Sequence, residues 1–425
     1  MLKFHQEQQF NFVHKFFSAM QLRVRKYKSS VITGIFFILL LVLNVYIFQT
    51  TSVQEFDVCV VGAGLSGAVI AERYAATTKK SILVLDKRDH IGGNCYDFID
   101  NETSIRVSKY GAHLFHTRYQ QVWDYVQQFS EWVPYEHKVL ALVEGNHIHI
   151  PVNINTVNAL FNLDIKSVED MDAWLKREQV QYNRKPSNSE EMALSRVGSK
   201  LYNLLFKPYT IKQWNKTPAE LGPSVLARIP VRNNWDDRYF SDQYQALPKR
   251  GYTNLIQNML KSPQIIVRLK TDYFDIRDMI KCRKTYFSGP IDRFYEKKGL
   301  PKLEYRSLSF ERKVLKNVDH FQPGSVVNHP SLKDNFTRIV EYKWLPNQEF
   351  DSNDTVIFYE RSTADGEPYY PVPNERNQNL YQRYKTFANS DPDIYFLGRL
   401  ANYKYFNMDE AIKNALDMFY ITESD

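Results

Sequence analysis

Three glycines and one carboxylate early in the chain have the types and spacing that bind a dinucleotide. Gly62, Gly64 and Gly67 stand in G-x-G-x-x-G spacing, which permits a tight turn, close approach of a pyrophosphate and close packing of the following helix. Asp86 lies 22 residues after Gly64, where a carboxylate accepts hydrogen bonds from a ribose 2′-hydroxyl and repels a 2′-phosphate. The spacing therefore predicts a dinucleotide site.

Two strands and a helix must position these residues. The apolar runs at 57–61 and 81–85 predict buried parallel strands, and residues 65–76 predict a helix whose N-terminal N–H groups point at the phosphates. The glycine pattern alone is not specific, and it is the strands and the helix around it that predict ligand binding. The unit does not distinguish NAD from FAD, but Gly92 and Gly93 directly after the second strand favour a flavin.

Charge and cysteine content exclude several classes of protein. The net charge is +7, but residues 1–30 hold six Lys or Arg and one Glu, which leaves only +2 for the rest of the chain. A nearly neutral body argues against nucleic acid as a partner. The three cysteines, Cys59, Cys95 and Cys282, match no metal-ligand spacing and are too few for a disulfide framework, and we expect Cys59 to be a small buried hydrophobic residue.

An uncharged run of 18 residues, 31–48, is close to the minimum length that spans a bilayer. Basic residues precede it, so the positive-inside rule predicts a single-pass transmembrane anchor over residues 31–49 with a cytoplasmic basic tail. A cleaved signal peptide is the alternative, but the late start, the length and the missing A-x-A site favour an anchor. The side of the membrane that holds the body stays open.

An ordered set of motifs extends from about Asp57 to the C-terminal helix. The set comprises VVGAGLSGAV, DKRDHIGGN, KYGAHLFHT, KPYTIKQW, RIPVRNNWDDRYFSDQYQALP, RGYTNLI, FSGPID, LEYRSLSFE, TRIVEYK, GEPYYPV and LGRLANYKYFNM. In this order the motifs resemble the UDP-galactopyranose mutase family of the bacterial type. The similarity covers nearly the whole globular body and does not include the N-terminal anchor.

The resemblance implies an α/β fold with a discontinuous Rossmann-like FAD-binding domain, a helical domain and an antiparallel β-sheet domain, preceded here by the transmembrane helix. The FAD-binding domain is expected at 56–130, 248–292 and 390–425, the helical domain at 153–222, and the β-sheet domain at 131–152, 223–247 and 293–389. Apolar periodicity independently predicts helices between 153 and 221, with Ser167 and Ser189 as N-caps.

The resemblance also implies an isomerase that interconverts UDP-galactopyranose and UDP-galactofuranose without net oxidation. In that chemistry FAD, kept reduced by an external reductant such as NADPH, provides N5 as a covalent nucleophile at the anomeric carbon. The implied partners are the two UDP-sugars and, through the anchor, a membrane; a homodimer stays open.

Site residues are assigned by their places in the family's motifs. Arg228 and Arg338 stand at the two diphosphate arginines, a role that suits the planar guanidinium, and with His113 and Tyr405 they form the expected catalytic set. The expected substrate-binding residues are Phe206, Tyr209, Trp214, Arg228, Tyr239, Arg338, Tyr370, Tyr405 and Asn407. The expected cofactor-binding residues are Gly62, Gly64, Gly67, Asp86, Gly93, Asn94, Arg399 and Met408.

Residues 220–231, which include Arg228, resemble the family's mobile lid, and Gly222 and Pro223 would absorb its hinge motion. Three departures from the family pattern occur: Pro208 and Asn215 replace glycines, and Asn407 replaces an aspartate. The loss of a charge at Asn407 supports one alternative, a membrane-tethered pseudoenzyme that binds UDP-sugar or FAD. The other alternative is an FAD-dependent oxidoreductase of the amine-oxidase or desaturase type.

Overall fold

The computed structural model describes residues 53–424, and the predicted basic tail and transmembrane anchor lie outside this range. Within the described residues, no helix is both long and apolar enough to cross a bilayer. The chain divides into two compact units. The described residues of the smaller unit are 53–54 and 278–281, and the larger unit contains 55–277 and 282–424.

The described part of the chain contains seventeen strands. Their bounds are β1 Gln54–Val61, β2 Ile82–Leu85, β3 Asp97–Ile99, β4 Arg106–Ser108, β5 Phe115–Thr117, β6 Trp132–Pro134, β7 Val139–Val143, β8 Asn146–Ile150, β9 Tyr244–Pro248, β10 Ile265–Arg268, β11 Ile280–Phe287, β12 Tyr305–Leu315, β13 Val326–Asn328, β14 Arg338–Glu341, β15 Thr355–Thr363, β16 Tyr370–Pro371 and β17 Ile394–Phe396.

The α-helices of the same range connect and cover these strands. Their bounds are α1 Leu65–Thr77, α2 Gln120–Val126, α3 Ile154–Phe161, α4 Val168–Glu178, α5 Ser189–Leu201, α6 Lys207–Trp214, α7 Ser224–Ala227, α8 Gly251–Met259, α9 Tyr273–Ile276, α10 Ile291–Phe294, α11 Glu375–Ser390, α12 Gly398–Ala401 and α13 Met408–Ser424.

A five-stranded sheet in the order β10-β2-β1-β11-β17 forms the Rossmann-like domain. β2 pairs in parallel with β1 and β10, and β11 pairs in parallel with β17. All four residues of β2 are buried, as expected for a parallel strand covered on both faces. Helix α13 packs Ile412 and Leu416 into the core that α1 shares. The C-terminal strand β17 and helix α13 therefore belong to this sheet and its core.

A seven-stranded sheet in the order β16-β12-β15-β14-β13-β7-β8 provides the second layer of strands. β14 pairs with β13 and β15 in antiparallel fashion, and β15 pairs likewise with β12. β7 and β8 form a hairpin and are joined by Glu144 and Gly145, both at positive φ. Only the β13–β7 pair in this sheet is parallel among the described strands.

Helices α3 to α6 fall between residues 154 and 214, within the range of 153 to 221 that the apolar periodicity predicted, and the short helix α7 follows beyond it. Ser167 caps α4 as expected, because its side chain accepts a hydrogen bond from the Asp170 N–H. The prediction of Ser189 as an N-cap is wrong: Asn188 caps α5, and the Ser189 hydroxyl instead donates to the Gly222 carbonyl at 2.6 Å. Adjacent Asn and Ser are nearly equal capping residues, so the sequence could not separate them.

A disulfide joins Cys59 on β1 to Cys282 on β11. The prediction that Cys59 is simply a small buried hydrophobic residue is therefore wrong. The sheet places these strands side by side, and the two Cα atoms are 5.8 Å apart, within the range that a disulfide spans. Because 223 residues separate the two cysteines, sequence spacing carried no sign of the pairing. Cys95 is free and buried, and burial raises the pKa of its thiol to about 12.

Candidate active site

A cleft of about 320 Å³ opens where β1, β2 and β11 end. Gly62 follows β1, Asp86 follows β2 and Ser288 follows β11, and all three line the cleft. The carboxyl ends of parallel strands are where open α/β sheets bind their ligands. The first residues of α1 also line this cleft, so helical N–H groups and the positive end of the helix dipole are available to an anion there.

Two glycines of the G-x-G-x-x-G motif have no room for a side chain. Gly62 has a φ of +110°, and a Cβ there would lie 2.1 Å from the Ser288 hydroxyl oxygen. A Cβ on Gly67 would lie 1.9 Å from the Gly62 carbonyl oxygen. The loop and α1 are thus packed backbone against backbone, which keeps the floor of the cleft close to the main chain. These features fit a dinucleotide pyrophosphate.

Asp86 connects the glycine loop to the loop after β2. Its Oδ2 accepts a hydrogen bond from the Ala63 N–H and its Oδ1 accepts one from the Arg88 N–H, both at 2.9 Å. A carboxylate has further lone pairs, so Asp86 retains acceptor capacity at the cleft wall, which it lines.

Most of the residues predicted to bind the cofactor meet in this cleft. The lining includes Gly62, Gly64, Asp86, Gly93, Asn94, Arg399 and Met408. Gly67 does not line it, because it lies against the Gly62 carbonyl. The sequence analysis missed a second group, which comprises Arg88, Thr271, Asp272, Tyr273, Phe274, Pro290 and Arg293. Their only signal is that they follow the ends of strands β2, β10 and β11 in this sheet.

A cluster of arginine and tyrosine side chains adjoins the cleft. The Arg228 guanidinium carbon lies 3.9 Å from the Tyr405 ring centroid, and that of Arg399 lies 4.9 Å from it. Tyr370 stacks on Tyr405 with a centroid distance of 5.1 Å and an angle of 6°. Burial acts to raise the pKa of Tyr405, but the neighbouring guanidiniums, Arg228 foremost, bring it below its ordinary value. Arg399 belongs to both the cleft and the cluster.

Arg338 enters this cluster from β14, where the antiparallel register places it opposite Glu360 on β15. The Arg338 Nε donates to the Glu360 Oε2 at 2.6 Å. The arginine side chain is still 26% exposed, whereas that of Glu360 is only 2% exposed, so the guanidinium remains available to a ligand while the carboxylate does not. Glu360 Oε1 has no hydrogen-bond partner among residues 53–424. The sequence analysis missed Glu360, although pairing the two strands in register would have identified it.

The remaining predicted substrate residues are arranged around these arginines. Tyr209 lies near Arg338, whose positive charge acts to lower the pKa of the tyrosine. Tyr239 lies near both Arg228 and Arg338, and their charges act on its pKa in the same direction. Burial raises the pKa of Tyr209 to about 12, which keeps it a phenol that can donate a hydrogen bond. Trp214 lies 6.3 Å from Tyr370 between ring centroids. Phe206 and Trp214 are both buried in the hydrophobic core, whereas Tyr239, Tyr370 and Tyr405 are partly buried and pack against it.

His113 and Asn407 both line the cofactor cleft. The His113 Nδ1 lies 2.8 Å from the Gly111 carbonyl oxygen, to which only an N–H can donate, and burial lowers the pKa of the imidazole to about 4. His113 is therefore neutral near pH 7, with Nε2 as a hydrogen-bond acceptor. Asn407 directly precedes α13, and its backbone N–H donates to Glu410 Oε2 at 2.8 Å. Asn and Asp serve equally well at a helix N-terminus, so this departure preserves the local structure.

His137 should make the fold sensitive to mild acid. It is 4% exposed, and burial, with a smaller contribution from Arg338, lowers its pKa to about 3. Between pH 6.5 and 3 the unfolded chain binds a proton that the native protein does not, so stability falls with decreasing pH by about 1.4 kcal/mol per unit. Thermal unfolding of His137→Gln between pH 7 and 5 should show a shallower dependence than wild type. His147→Gln, at an exposed position, is the control; equal slopes for wild type and His137→Gln would contradict the expectation.

Comparisons with known proteins agree with this architecture. A sequence model for the UDP-galactopyranose mutase family matches residues 204–405, and a model for the NAD(P)-binding Rossmann-like domain matches residues 60–129. A solved reduced UDP-galactopyranose mutase has the same fold, with a TM-score of 0.67 and 16% identity over 87% of this chain and 96% of its own. A redesigned putrescine oxidase also shares the fold, with a TM-score of 0.54 and 10% identity over 88% of this chain and 100% of its own.

Curated relatives are similar over most of their length. The "Probable UDP-galactopyranose mutase" of Klebsiella pneumoniae is 38% identical over 85% of this chain and 93% of its own. The dTDP-fucopyranose mutase of Escherichia coli is 36% identical over 85% and 96%. The UDP-galactopyranose mutase of Mycoplasma genitalium is 33% identical over 87% and 96%. The chain belongs to the UDP-galactopyranose mutase family.

Proposed function

We propose that this protein interconverts UDP-galactopyranose and UDP-galactofuranose as a flavin-dependent mutase. The observation that carries the proposal is the junction at Arg399, which lines the dinucleotide cleft and also lies over Tyr370 and Tyr405 of the arginine–tyrosine cluster. A cofactor and a nucleoside diphosphate sugar bound at these two places would be neighbours, as direct bonding between flavin and sugar requires.

The arginine–tyrosine cluster has the chemistry of a diphosphate clamp. Arg228 and Arg338 come from separate segments, and each can bind phosphate oxygens through a planar fork of donors. Their charges would stabilise the diphosphate as it leaves the anomeric carbon and takes up negative charge. Tyr239 and Tyr370 would add neutral hydroxyl groups that donate hydrogen bonds to the phosphates. The Tyr405 hydroxyl would do the same, and its lowered pKa reflects the positive charge of the neighbouring arginines.

The residues that line the cleft fit FAD. The loop with Gly62 and Gly64 and the start of α1 would hold the pyrophosphate, and Asp86 would accept from a ribose hydroxyl. Asn94, Arg399 and Met408 would hold the remainder. Bound FAD in its reduced form supplies a nucleophilic N5 for the anomeric carbon, and we propose that an external reductant such as NADPH keeps it reduced. Neutral His113 would present a proton acceptor at the cleft wall.

A second candidate substrate is a dTDP-fucose, because the relative from Escherichia coli is named a dTDP-fucopyranose mutase at 36% identity. Both substrates share a nucleoside diphosphate and a hexose, so the diphosphate clamp alone does not choose between them. They differ at the base, at the ribose 2′-hydroxyl and at C6 of the sugar.

One assay tests these proposals. The purified protein is incubated with UDP-galactofuranose or dTDP-fucofuranose, with and without dithionite, and the products are separated by chromatography. UDP-galactopyranose that forms faster than dTDP-fucopyranose, and only after reduction, supports the mutase. Preference for the dTDP-sugar would reassign the substrate. Peroxide release in the oxidised state would indicate an oxidoreductase instead, and bound FAD without any product would indicate a pseudoenzyme.

We also propose that residues 31–49 anchor the protein in a membrane. The support is the uncharged run and the basic residues before it. The full-length chain should resist carbonate extraction from membranes, and a variant without residues 1–49 should be released. Equal extraction of both forms would remove the anchor from the proposal.

A further inference from the structure

Two cations on α5 and α6 bind the main chain of the segments that carry the two diphosphate arginines. The first is Arg196 on α5. Its Nη1 donates to three carbonyl oxygens, at 3.0 Å to Leu226, 3.1 Å to Ala227 and 2.7 Å to Ile229. These carbonyls lie on both sides of Arg228 in the chain. One guanidinium nitrogen therefore holds the backbone around the residue whose side chain reaches Tyr405.

The segment around Arg228 needs such support. Helix α7 is a single turn that ends at Ala227, and a turn of this length is not stable by itself. The last carbonyls of a helix lack intrahelical partners, and a cation is favourable beside them. Helix α5 also binds the start of the segment 220–231, since the Ser189 hydroxyl donates to the Gly222 carbonyl at 2.6 Å. This segment therefore contacts α5 both at Gly222 and at residues 226–229.

The second cation is Lys212 on α6, whose ammonium group is enclosed by the loop 329–336. Its Nζ donates to the carbonyl oxygens of Ser331 at 2.8 Å and Phe336 at 2.7 Å, and to that of His329; the Asp334 carbonyl is 3.4 Å away. Burial lowers the pKa of Lys212 to about 8, so the group is still mostly charged at pH 7. An ammonium has three donors, and here they converge on one loop.

This loop leads directly into the strand that begins with Arg338. Its other polar contacts are local or with the neighbouring strands: Ser331 contacts Lys333 and Asp334, and His329 Nδ1 lies 3.3 Å from Asp334 Oδ2. The His329 N–H donates to the Thr337 carbonyl, and the Asn335 side-chain oxygen accepts from Arg361. Lys212 is therefore the main polar contact of several loop carbonyls at once. The same helix, α6, carries Tyr209 and Trp214. Lys212 thus joins the helix that carries two of the expected substrate-binding residues to the segment that presents Arg338.

We propose that Arg196 and Lys212 are positioning residues that hold the main chain around Arg228 and before Arg338, so that both guanidiniums converge on one diphosphate. The proposal rests on the mutase function proposed above. The alternative is that the two cations only stabilise the fold, in which case their removal would lower stability without acting through the arginines.

Double-mutant cycles distinguish these two roles. Lys212→Met and Arg196→Met each remove the donors and keep an apolar stem, and each should lower kcat/KM for UDP-galactofuranose about tenfold, within the range of coupled neighbouring residues. When Arg338 is already alanine, Lys212→Met should lower kcat/KM by less than about threefold, because the arginine that Lys212 positions is absent. When Arg228 is alanine instead, Lys212→Met should still lower kcat/KM about tenfold. Arg196→Met should lose its effect in the Arg228→Ala protein and keep it in the Arg338→Ala protein.

The same cycles are measured on the dissociation constant of UDP, which needs no turnover. If the wild-type protein binds UDP but does not convert the sugar, the proposed mutase function is contradicted. The positioning role is still tested in that case, because the double-mutant cycles on UDP affinity do not depend on turnover. Undiminished effects of Lys212→Met in the Arg338→Ala background, and of Arg196→Met in the Arg228→Ala background, would overturn the positioning role.

Three controls separate positioning from loss of folding. Flavin content and the thermal midpoint are recorded for each variant. Lys200→Met removes an exposed lysine of α5 that pairs with Glu178, and it should leave kcat/KM and UDP affinity unchanged. If a methionine variant loses flavin, Lys212→Arg and Arg196→Lys replace it in the same cycles. These variants keep the charge and should recover part of the UDP affinity. The recovery should be smaller when the positioned arginine, Arg338 for Lys212→Arg and Arg228 for Arg196→Lys, is already alanine. Equal recovery with and without that arginine would overturn the proposal.

Discussion

Replacing Arg338 with alanine should lower kcat/KM for UDP-galactofuranose by about 10²–10³-fold, as removal of a preorganised transition-state donor typically does. The guanidinium is held by Glu360 at 2.6 Å and remains 26% exposed, so it is fixed in place and still accessible. Alanine removes the charge that offsets the leaving diphosphate and also leaves the carboxylate of Glu360 buried without its partner. The measurement is steady-state turnover of the reduced enzyme, followed by chromatography.

Two variants make this result specific. Arg184→Ala removes an exposed arginine that pairs with Glu191 and donates to the Lys185 carbonyl, and it should retain wild-type turnover. Glu360→Gln keeps the shape of the side chain but removes its charge, and should lower kcat/KM by less than Arg338→Ala does. Near-normal turnover of Arg338→Ala at full flavin content would remove Arg338 from the diphosphate clamp.

Replacing Gly67 with alanine should remove most of the bound flavin. A Cβ at this position would lie 1.9 Å from the Gly62 carbonyl oxygen and 2.9 Å from Val60 Cγ1, so α1 would have to move away from the glycine loop. Overpacking typically costs about 1–3 kcal/mol, which corresponds to a roughly 5- to 150-fold weaker affinity if it falls on the cofactor site. The ratio of flavin absorbance to protein after purification, and titration of the apoprotein with FAD, measure the effect.

Gly324→Ala is the matched control for this substitution. A Cβ on Gly324 would meet only Leu140 Cδ1, at 4.0 Å, so this variant should bind flavin as wild type does. Circular dichroism shows whether Gly67→Ala remains folded. A folded Gly67→Ala protein with full flavin content and unchanged FAD affinity would show that close packing of α1 on the loop is not needed for the cofactor.

Structural features formed by residues close together in the chain could be predicted from the sequence, and contacts between residues far apart in the chain could not. The Rossmann unit was predicted with small errors in its bounds, because its strands, turn and helix are consecutive between Gln54 and Leu85 and each has a local pattern. Ser189 was assigned the wrong role because its hydroxyl has a distant partner, the Gly222 carbonyl. Cys59 was misassigned for the same reason, since its partner is 223 residues away.

The sequence by itself determined the dinucleotide loop, the presence of helices between residues 153 and 221 and the family to which the chain is similar. These properties depend on residue type at short spacing. Only the tertiary structure decided that Glu360 faces Arg338, and that Arg196 and Lys212 bind the segments around the two arginines. Such contacts arise when strands pair in register and when helices pack on loops. The residues involved carry no mark of their partners until the chain folds.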